Sequence, residues 1–454
     1  MSAIAHGGMP LRLSGTRLAN AALVGLVFMS GFVMVEPSPY DLGMLALILV
    51  WSAAGLRISR YILPLTILLL LYLAGGLIAL TQMETMDGRP VAYMVTTGYL
   101  VASAIFFAAI VSDNPEERLR AIRTGYIAAA VVVALIGILA YFNAIPYADL
   151  FKLYARAKGS FKDPNVFGPF LALPIALLFR DIITRRLDRS LWWRVAVLIV
   201  LLFGVLLSFS RAAWGLVAFE LLAIGYLVFA NEPNRMARLK LVGYFAGGLA
   251  AIALFVVAAI SIPQVRNLYE VRAHVVQDYD NGHAGRFERQ KAGFFLVQEK
   301  PLGIGPLAFD KIYGEDEHNM WLKGFTTYGW LGGFSYIILA AWTLAAGAPL
   351  LFKPRPWQGI AQCAYVVLLG HILVHNVIDN DHWRHLYLIY GMVWGMIAAE
   401  KLAQRRERGA AEPIPRAEPV LALERAHALA RIDRERRFAG IERAPKPASA
   451  ASLS

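Results

Sequence analysis

Arginine residues lie where long apolar segments meet polar ones. Arg211 lies in the sequence SFSRAAWG (208–215), between two apolar runs, and Arg286 and Arg289 lie in the polar segment GRFERQK (285–291). A guanidinium group stays charged at neutral pH and can bind a phosphate through two parallel hydrogen bonds. Charges at membrane depth are costly, so each is a candidate functional residue. These positions favour an anion site, although Arg211 could instead extend to the membrane interface or pair with Glu220.

One histidine lies in a position suited to proton transfer. His318 is part of the sequence EHNMWL (317–322), just before an apolar run. A histidine at the mouth of a membrane site can accept a proton near neutral pH. Taken alone, such a residue is more often a surface or core histidine.

The polar segment before His318 has helical spacing. A helix beginning at Arg286 would place Arg286, Arg289 and Gln290 on one face, and the cluster PLGIGP (301–306) would end it and turn the chain. By itself this pattern is also typical of a solvated basic helix.

A further candidate region is RAKGSFKDPNVFGP (156–169). Asp163 is a good helix N-cap, and Pro164 suits the first helical position. The helix would begin at the membrane surface and present free N–H groups to an anion. Without other evidence, this is only a well-capped helix.

Histidine and aspartate recur at helical spacing near the C-terminal end of an apolar run. His371, His375 and Asp379 stand at i, i+4 and i+8. Such a stripe could bind a metal ion, relay protons or form a polar packing network. The glutamate of a HExxH zinc motif is missing, so the zinc interpretation has little support.

The elements that carry these residues must be membrane helices. Of the 454 residues, 58% are hydrophobic and 17% charged, and the mean hydropathy is +0.52. A soluble protein of this size could not bury so much apolar surface. The composition excludes a soluble enzyme and a disordered scaffold, and the single cysteine, Cys363, excludes an internal disulfide. The sequence predicts an all-α, polytopic membrane protein.

About twelve apolar stretches are long enough, or nearly so, to cross a bilayer. They lie at about 19–36, 42–56, 61–81, 92–112, 124–142, 165–180, 191–209, 212–230, 241–262, 325–346, 359–378 and 385–402. The weakest interruption is Ser208–Arg211, which predicts a tight hairpin or a helix broken at membrane depth. The first run lacks a cleavage signature, so we expect it to be retained as a span.

Basic residues orient the predicted spans. With a cytoplasmic N-terminus, the short inside connections carry seventeen Lys and Arg residues against six acidic ones. This bias is typical of cytoplasmic loops, so the net charge of +12 reflects topology and nucleic acid is not an expected partner. Two long polar segments, 143–164 and 263–324, then lie outside, and the second has room for several short helices between helices 9 and 10.

The chain is predicted to divide into a membrane domain, 1–402, and a basic cytoplasmic tail, 403–454. The tail is expected to be solvated and partly disordered. Alternatively, residues 422–437 form an amphipathic helix at the inner leaflet.

The ordered motifs resemble the O-antigen ligase and polysaccharide polymerase superfamily of bacterial membrane glycosyltransferases. The resemblance covers roughly residues 155–345. It is carried by GSF (159–161), DPN (163–165), SRAAW (210–214), Gly285-Arg286, PLGIG (301–305), HNMWL (318–322), Gly329 and Gly332. Each motif is loose, and the ordered set is far more specific than any one member.

The resemblance implies a metal-independent, inverting glycosyltransfer with no cofactor at the periplasmic face of the inner membrane. The donor would be an undecaprenyl-pyrophosphate-linked glycan and the acceptor a hydroxyl of lipid A–core. His318 would be the base and Asn319 would orient it, with Asp163 and Asn165 in support. Arg211 and Arg286, assisted by Arg289 and Arg156, would neutralise the leaving pyrophosphate.

Two other functions remain open. A repeat-unit polymerase would use the same donor with a second carrier-linked glycan as acceptor. A proton-coupled secondary transporter would use the His371/His375/Asp379 stripe as proton path and Glu220 as coupling site. A polar cluster at the outer face, rather than at the bilayer midplane, would favour the enzyme.

Overall fold

A computed structural model describes residues 9–84, 88–184, 190–272, 285–411 and 431. Two compact units divide the chain, Met1–Lys401 and Leu402–Ser454. All predicted site residues lie in the first unit. The helix predicted at 422–437 lies outside the described residues apart from Arg431.

The described chain is an all-α protein. Its helices are α1 Met9–Met29, α2 Pro39–Ala53, α3 Leu63–Leu80, α4 Gly88–Asp113, α5 Pro115–Tyr141, α6 Pro164–Phe170, α7 Ala172–Thr184, α8 Ser190–Leu207, α9 Arg211–Asn231, α10 Arg235–Ile260, α11 Pro263–Arg272, α12 Arg286–Glu299, α13 Phe309–Tyr313, α14 Met320–Thr326, α15 Gly329–Gly347, α16 Gln358–Val374 and α17 Arg384–Ala411. Short 3₁₀ turns lie at Arg60–Ile62, Ala148–Phe151 and Ala348–Leu351. Two-residue strands β1 Lys152–Leu153 and β2 Arg156–Ala157 pair antiparallel.

Helices lie at all twelve predicted apolar stretches, but not all are long enough to count as spans. Among the described residues, nine helices have the length and composition to cross a membrane. Three further apolar stretches are shorter: Arg17–Met29 within α1, and the helices Pro39–Ala53 and Gln358–Val374. The polytopic all-α class is therefore confirmed, whereas the count of twelve spans stays a prediction.

Two predicted spans differ in detail from single straight helices. The stretch 165–180 is divided at Leu171 into α6 and α7, because Pro169 and Pro174 lie on either side of it and each lacks a backbone donor. The interruption at Ser208–Arg211 is where α8 ends and α9 begins, with Phe209 in the left-handed region at φ +46°. Residues 263–324 do contain several short helices, α11 to α14, as expected.

Close helix packing holds the region around the site. Tyr72 of α3 stacks on Tyr328 at 3.9 Å between ring centroids, just before α15. A Cβ atom at Gly75 would lie 2.3 Å from the carbonyl oxygen of Tyr328, so only glycine permits this approach. Small residues at membrane helix interfaces allow such contact between backbones. The packing fixes the end of α14 and the start of α15, which follow His318.

Several connections meet at one end of the bundle, which we call the site end. The Ser160 hydroxyl donates to the carbonyl oxygen of Gly31 at 2.5 Å, and Arg384 binds Asp41 at 2.7 Å. Residues 375–383 lead directly into Arg384 and so lie at this end as well. We call the other end, where Arg123 binds Asp181, the arginine end.

One helix lies apart from the core. Almost no residue of α10 is buried, whereas most residues of Pro164–Thr184 are. Apolar side chains of α8, α9 and α10, with Tyr269 of α11, line a pocket of about 340 Å³ that includes Trp214. An apolar helix with this exposure is suited to contact lipid.

Candidate active site

A tight turn ahead of α14 holds His318. Its backbone is left-handed, with φ +49°, which is uncommon for a residue other than glycine. The backbone N–H groups of His318 and Asn319 donate to the two carboxylate oxygens of Asp379, at 2.9 and 2.8 Å. Because one carboxylate accepts both bonds, Asp379 fixes the turn that carries the histidine.

The imidazole of His318 is accessible and uncharged near neutral pH. Its side chain is 29% exposed, and Nδ1 lies 3.9 Å from the carboxylate of Asp379, while Nε2 lies 3.9 Å from that of Glu315. Burial lowers the pKa of His318; Asp379 acts to raise it and Arg286 to lower it further. A neutral imidazole can accept a proton, and neighbouring carboxylates then stabilise the imidazolium cation that forms.

The predicted helix from Arg286 exists as α12 and packs on the His318 turn. Arg289 is buried and binds Glu315 at 2.5 Å, and the amide of Gln290 donates to the carbonyl oxygen of His318 at 3.2 Å. Arg286, the first residue of the helix, lies close enough to affect the pKa of His318. The structure therefore brings Arg286, Arg289 and His318 together, with Arg289 already bound to a carboxylate.

Asn319 caps the helix that follows it. Its side-chain oxygen accepts the backbone N–H of Leu322 at 3.1 Å, which makes it the N-cap of α14. The N–H of the next residue, Met320, donates to the carbonyl oxygen of His375 at 2.8 Å. These bonds hold the start of α14 against the end of α16.

A buried lysine balances the acidic residues behind the turn. The ammonium of Lys323 lies 3.5 Å from Asp316 and 3.9 Å from Asp379. Burial lowers the pKa of Lys323, but the surrounding carboxylates, Asp381 first among them, outweigh it and raise the pKa above its usual value. Lys323 is thus a fixed cation beside Asp379, the residue that holds the His318 turn.

The same cluster contains three carboxylates that a metal ion could use. One oxygen each of Asp316, Glu317 and Asp379 lie within 4.8 Å of one another. The Thr326 hydroxyl donates to one oxygen of Glu317, and the other is buried without a hydrogen-bond partner among the described residues. Burial raises the pKa of Glu317 to about 8. Lys323 supplies one positive charge beside Asp316 and Asp379 of this cluster.

Tyrosines bind a second aspartate after α16. Asp381 accepts hydrogen bonds from the hydroxyls of Tyr93 at 2.5 Å and Tyr328 at 3.0 Å. The ring of Tyr93 lies 3.8 Å from that of His382 between centroids, and burial lowers the pKa of His382 to about 4. These contacts tie the connection between α16 and α17 to α4.

The remaining predicted residues form a second group, around α6 and the start of α9. Arg156 is buried; it donates to the carbonyl oxygen of Ser208 at 2.7 Å and to the side chain of Asn165 at 2.8 Å. Asp163 caps α6 as predicted, accepting the N–H of Asn165 at 2.6 Å. Arg156 therefore braces the residues that lead into Arg211.

Arg211 is half-buried at the first position of α9, after the N-cap Ser210. The alternative that it pairs with Glu220 does not hold, since both carboxylate oxygens of Glu220 are buried without a hydrogen-bond partner among the described residues. Trp214, one turn further along α9, lines the apolar pocket. A cation at the edge of an apolar pocket suits an amphipathic anion.

The expected His371/His375/Asp379 stripe is only partly formed. Helix α16 ends at Val374, so Asp379 lies beyond it and binds the His318 turn instead. His371 donates from Nδ1 to the carbonyl oxygen of Val367 at 2.8 Å, and His375 bonds to the hydroxyl of Tyr336 at 2.9 Å. The prediction that Asp379 shares a helix face with His371 was wrong, because the helix ends at Val374, three residues after His371.

Sequence reasoning missed Asp379 and Lys323 as parts of this site. Asp379 was assigned to another group, since nothing in the sequence relates it to a residue 61 positions earlier. Lys323 did carry a signal, as a charge within an apolar segment five residues after His318.

A family comparison matches the middle of the chain. Residues 196–337 match the family model described as O-Antigen ligase. No curated protein matches the chain. Arg211, Arg286, Arg289, His318 and Asn319 lie inside the matched range, and Arg156, Asp163, Asn165 and Asp379 lie outside it. The predicted resemblance to the O-antigen ligase superfamily is therefore confirmed over residues 196–337, which lie within the predicted range of about 155–345.

Proposed function

We propose that the protein transfers a glycan from a polyprenyl pyrophosphate carrier to an acceptor hydroxyl, with inversion at the anomeric carbon. The observation that carries this proposal is the His318 turn. A neutral, accessible imidazole is held there by Asp379, with Arg286 close by. The turn lies within the range that matches the O-antigen ligase family.

In the proposed reaction His318 is the general base. The acceptor oxygen attacks the anomeric carbon as the bond from that carbon to the pyrophosphate oxygen breaks. The hydroxyl proton passes to the imidazole, and the leaving pyrophosphate takes the bonding electron pair. Asp379 and Glu315, each 3.9 Å from an imidazole nitrogen, would stabilise the imidazolium that forms.

The arginines would stabilise the leaving group. Arg286 lies beside the base, and Arg211 lies at the start of α9, next to the apolar pocket. Guanidinium groups can meet phosphate oxygens bidentately, and pyrophosphate is a good leaving group. Arg289 and Arg156 would then act indirectly, since each is bound to protein groups, Glu315 and Ser208 respectively.

The polyprenyl chain would lie against α10. The pocket between α8, α9 and α10 is apolar and of about 340 Å³, and α10 has an exposed apolar surface. This pocket would hold only the first isoprene units, with the remainder in the bilayer. The donor would then place its pyrophosphate at Arg211.

The location supports an enzyme over a transporter. His318 lies just before α14 and Asp379 lies after the end of α16. Lys323 lies within the short helix α14. None of the three residues lies midway along a span. In the proposed topology the site end faces the periplasm and both termini face the cytoplasm of a bacterial inner membrane. The proposed mechanism uses no metal ion; Lys323 supplies a positive charge beside Asp316 and Asp379.

A deletion strain tests the function and identifies the acceptor. We expect lipopolysaccharide gels to lose long O-chains while carrier-linked polymer accumulates, and the wild-type protein to restore them. This result identifies lipid A–core as acceptor. Loss of a secreted or chain-extended polysaccharide would identify a polymerase instead, and unchanged glycans of both kinds would contradict the proposal.

A further inference from the structure

A polar cavity lies at the arginine end of the bundle. It has a volume of about 350 Å³, and its lining includes Arg120, Arg123, Arg180 and Arg355. The cavity meets the start of α16, whereas Asp379 follows the other end of that helix. A helix of 17 residues is about 25 Å long, so this cavity is separate from the His318 site.

Positive charge exceeds negative charge around the cavity. The carboxylate of Asp181 is bound by Arg123 and lies 3.9 Å from Arg194. Likewise, Glu400 binds Arg355 at 2.7 Å and Lys353 at 2.9 Å. Each of these carboxylates thus faces two cations, which leaves an excess of positive charge.

Arg120 and Arg180 add to that excess, against Glu116 as the only other acidic residue in the lining. Arg120 is exposed on α5, and the structure shows no ion pair to it within the described residues. The cavity therefore has cations to spare for an anionic ligand.

The shape around Arg180 is specific to its guanidinium group. Its Nε donates to the side-chain oxygen of Gln362 at 2.9 Å, which fixes the plane of the guanidinium group. A Cβ atom at Gly359 would lie 2.3 Å from Nη1 of Arg180. Glycine at 359 thus leaves the space in which the guanidinium lies against the start of α16. A held guanidinium loses little further freedom when it binds an anion.

We propose that this cavity binds a phosphate group, carried either by a lipid headgroup or by a soluble phosphate compound. The paired N–H groups of an arginine guanidinium match the spacing of phosphate oxygens, and the cavity has the volume of a small-ligand site. Basic pockets between membrane helices are typical binding sites for phospholipid headgroups. The proposal is independent of the transfer reaction, because none of its residues belongs to the His318 site.

The test uses the full chain, purified in detergent, and two probes. Binding of inorganic phosphate is measured by titration calorimetry, and retention of phosphatidylglycerol against phosphatidylcholine by native mass spectrometry. Phosphate binding would identify a soluble occupant, and selective phosphatidylglycerol retention without phosphate binding would identify a lipid. If the wild-type protein neither binds phosphate nor retains phosphatidylglycerol in preference to phosphatidylcholine, the proposal is overturned.

Matched variants locate the binding. We expect Gly359→Ala, which removes no charge, and Arg120→Ala/Arg180→Ala to weaken binding at least tenfold. Arg57→Ala removes an exposed arginine between α2 and α3 and should leave binding unchanged. If Gly359→Ala does not fold, Arg120→Ala alone decides, since its side chain is exposed. Binding by the folded variants equal to that of the wild-type protein would contradict the assignment.

Discussion

At the scale of single residues, the account depends on how Asp379 holds His318. The turn is left-handed at His318 and is fixed by two backbone hydrogen bonds to one carboxylate. The sequence identified the histidine, because it lies at the edge of an apolar run. It could not identify Asp379 as its partner, since the contact joins segments that only the packing of α14 and α16 brings together.

Asp379→Asn should reduce the rate of transfer and change its pH dependence. Weakening hydrogen bonds to a charged acceptor costs about 1.5–3 kcal/mol, which corresponds to about ten- to a hundredfold in kcat. The wild-type rate should fall only at pH values below about 6.5, the ordinary histidine pKa, because burial lowers the pKa of His318 and the base is neutral above it.

The Asp379 carboxylate acts to raise that pKa, so its removal should move the acidic limb of the rate profile to still lower pH. The measurement is kcat against pH for both proteins. A loss of rate with an unmoved limb would mean that Asp379 is only structural.

Arg211→Lys and Arg286→Lys should each lower kcat by about a hundredfold. Lysine keeps the charge but cannot make the paired hydrogen bonds of a guanidinium to a pyrophosphate. Arg266→Lys, an exposed arginine paired with Glu270, is the matched control and should have no effect. Kinetics with a purified donor measure this, and normal turnover by either variant would assign that arginine a structural role.

At the scale of elements, the sequence predicted the apolar helices well because each requires a long run of apolar residues. The cap at Asp163 and the start of α12 at Arg286 were also predictable, since they depend on local residues. The end of α16 at Val374 was not, because the apolar pattern continues past the last helical residue. The misplaced stripe of His371, His375 and Asp379 follows from that boundary.

Two glycines in the segment before α14 allow the cost of backbone strain to be measured separately from the cost of lost close packing. Gly303 and Gly314 have similar left-handed backbones, with φ +80° and +82°. A Cβ atom at Gly303 would lie 2.8 Å from the carbonyl oxygen of Thr326, whereas none of the described atoms lies within 4 Å of one at Gly314.

Gly314→Ala should therefore cost only about 1–2 kcal/mol of unfolding free energy, from backbone strain. Gly303→Ala should cost more, because it also separates the PLGIG turn from the end of α14. Thermal unfolding in detergent compares the two proteins. Equal losses would mean that the approach of Gly303 to Thr326 contributes nothing.

At the scale of the whole molecule, the positive charge bias predicts which end of the bundle faces outward. The site end carries the long polar segments, and the arginine end carries the basic cavity. The composition was sufficient to predict a polytopic membrane protein. It could not fix the number of spans, because α2 and α16 are shorter than 18 residues and the apolar part of α1 covers only Arg17–Met29.

Cysteine labelling tests the orientation. The native Cys363 is buried, so it should not react with a membrane-impermeant maleimide. Asp149→Cys, at a side chain that is 97% exposed, should be labelled once the outer membrane is permeabilised. Arg57→Cys should be labelled only after the inner membrane is opened. The reverse pattern would place the His318 site in the cytoplasm and exclude a periplasmic transfer reaction.

The most direct test of the central claim is the transfer activity of His318→Asn. Asparagine tolerates the left-handed backbone of the turn but cannot act as a base near neutral pH. The purified variant is supplied with a polyprenyl-pyrophosphate-linked glycan and acceptor, and transfer is followed on gels. We predict a loss of at least about a hundredfold in kcat, with unchanged thermal unfolding and donor binding. Transfer at the wild-type rate by a folded His318→Asn protein would contradict the proposed mechanism.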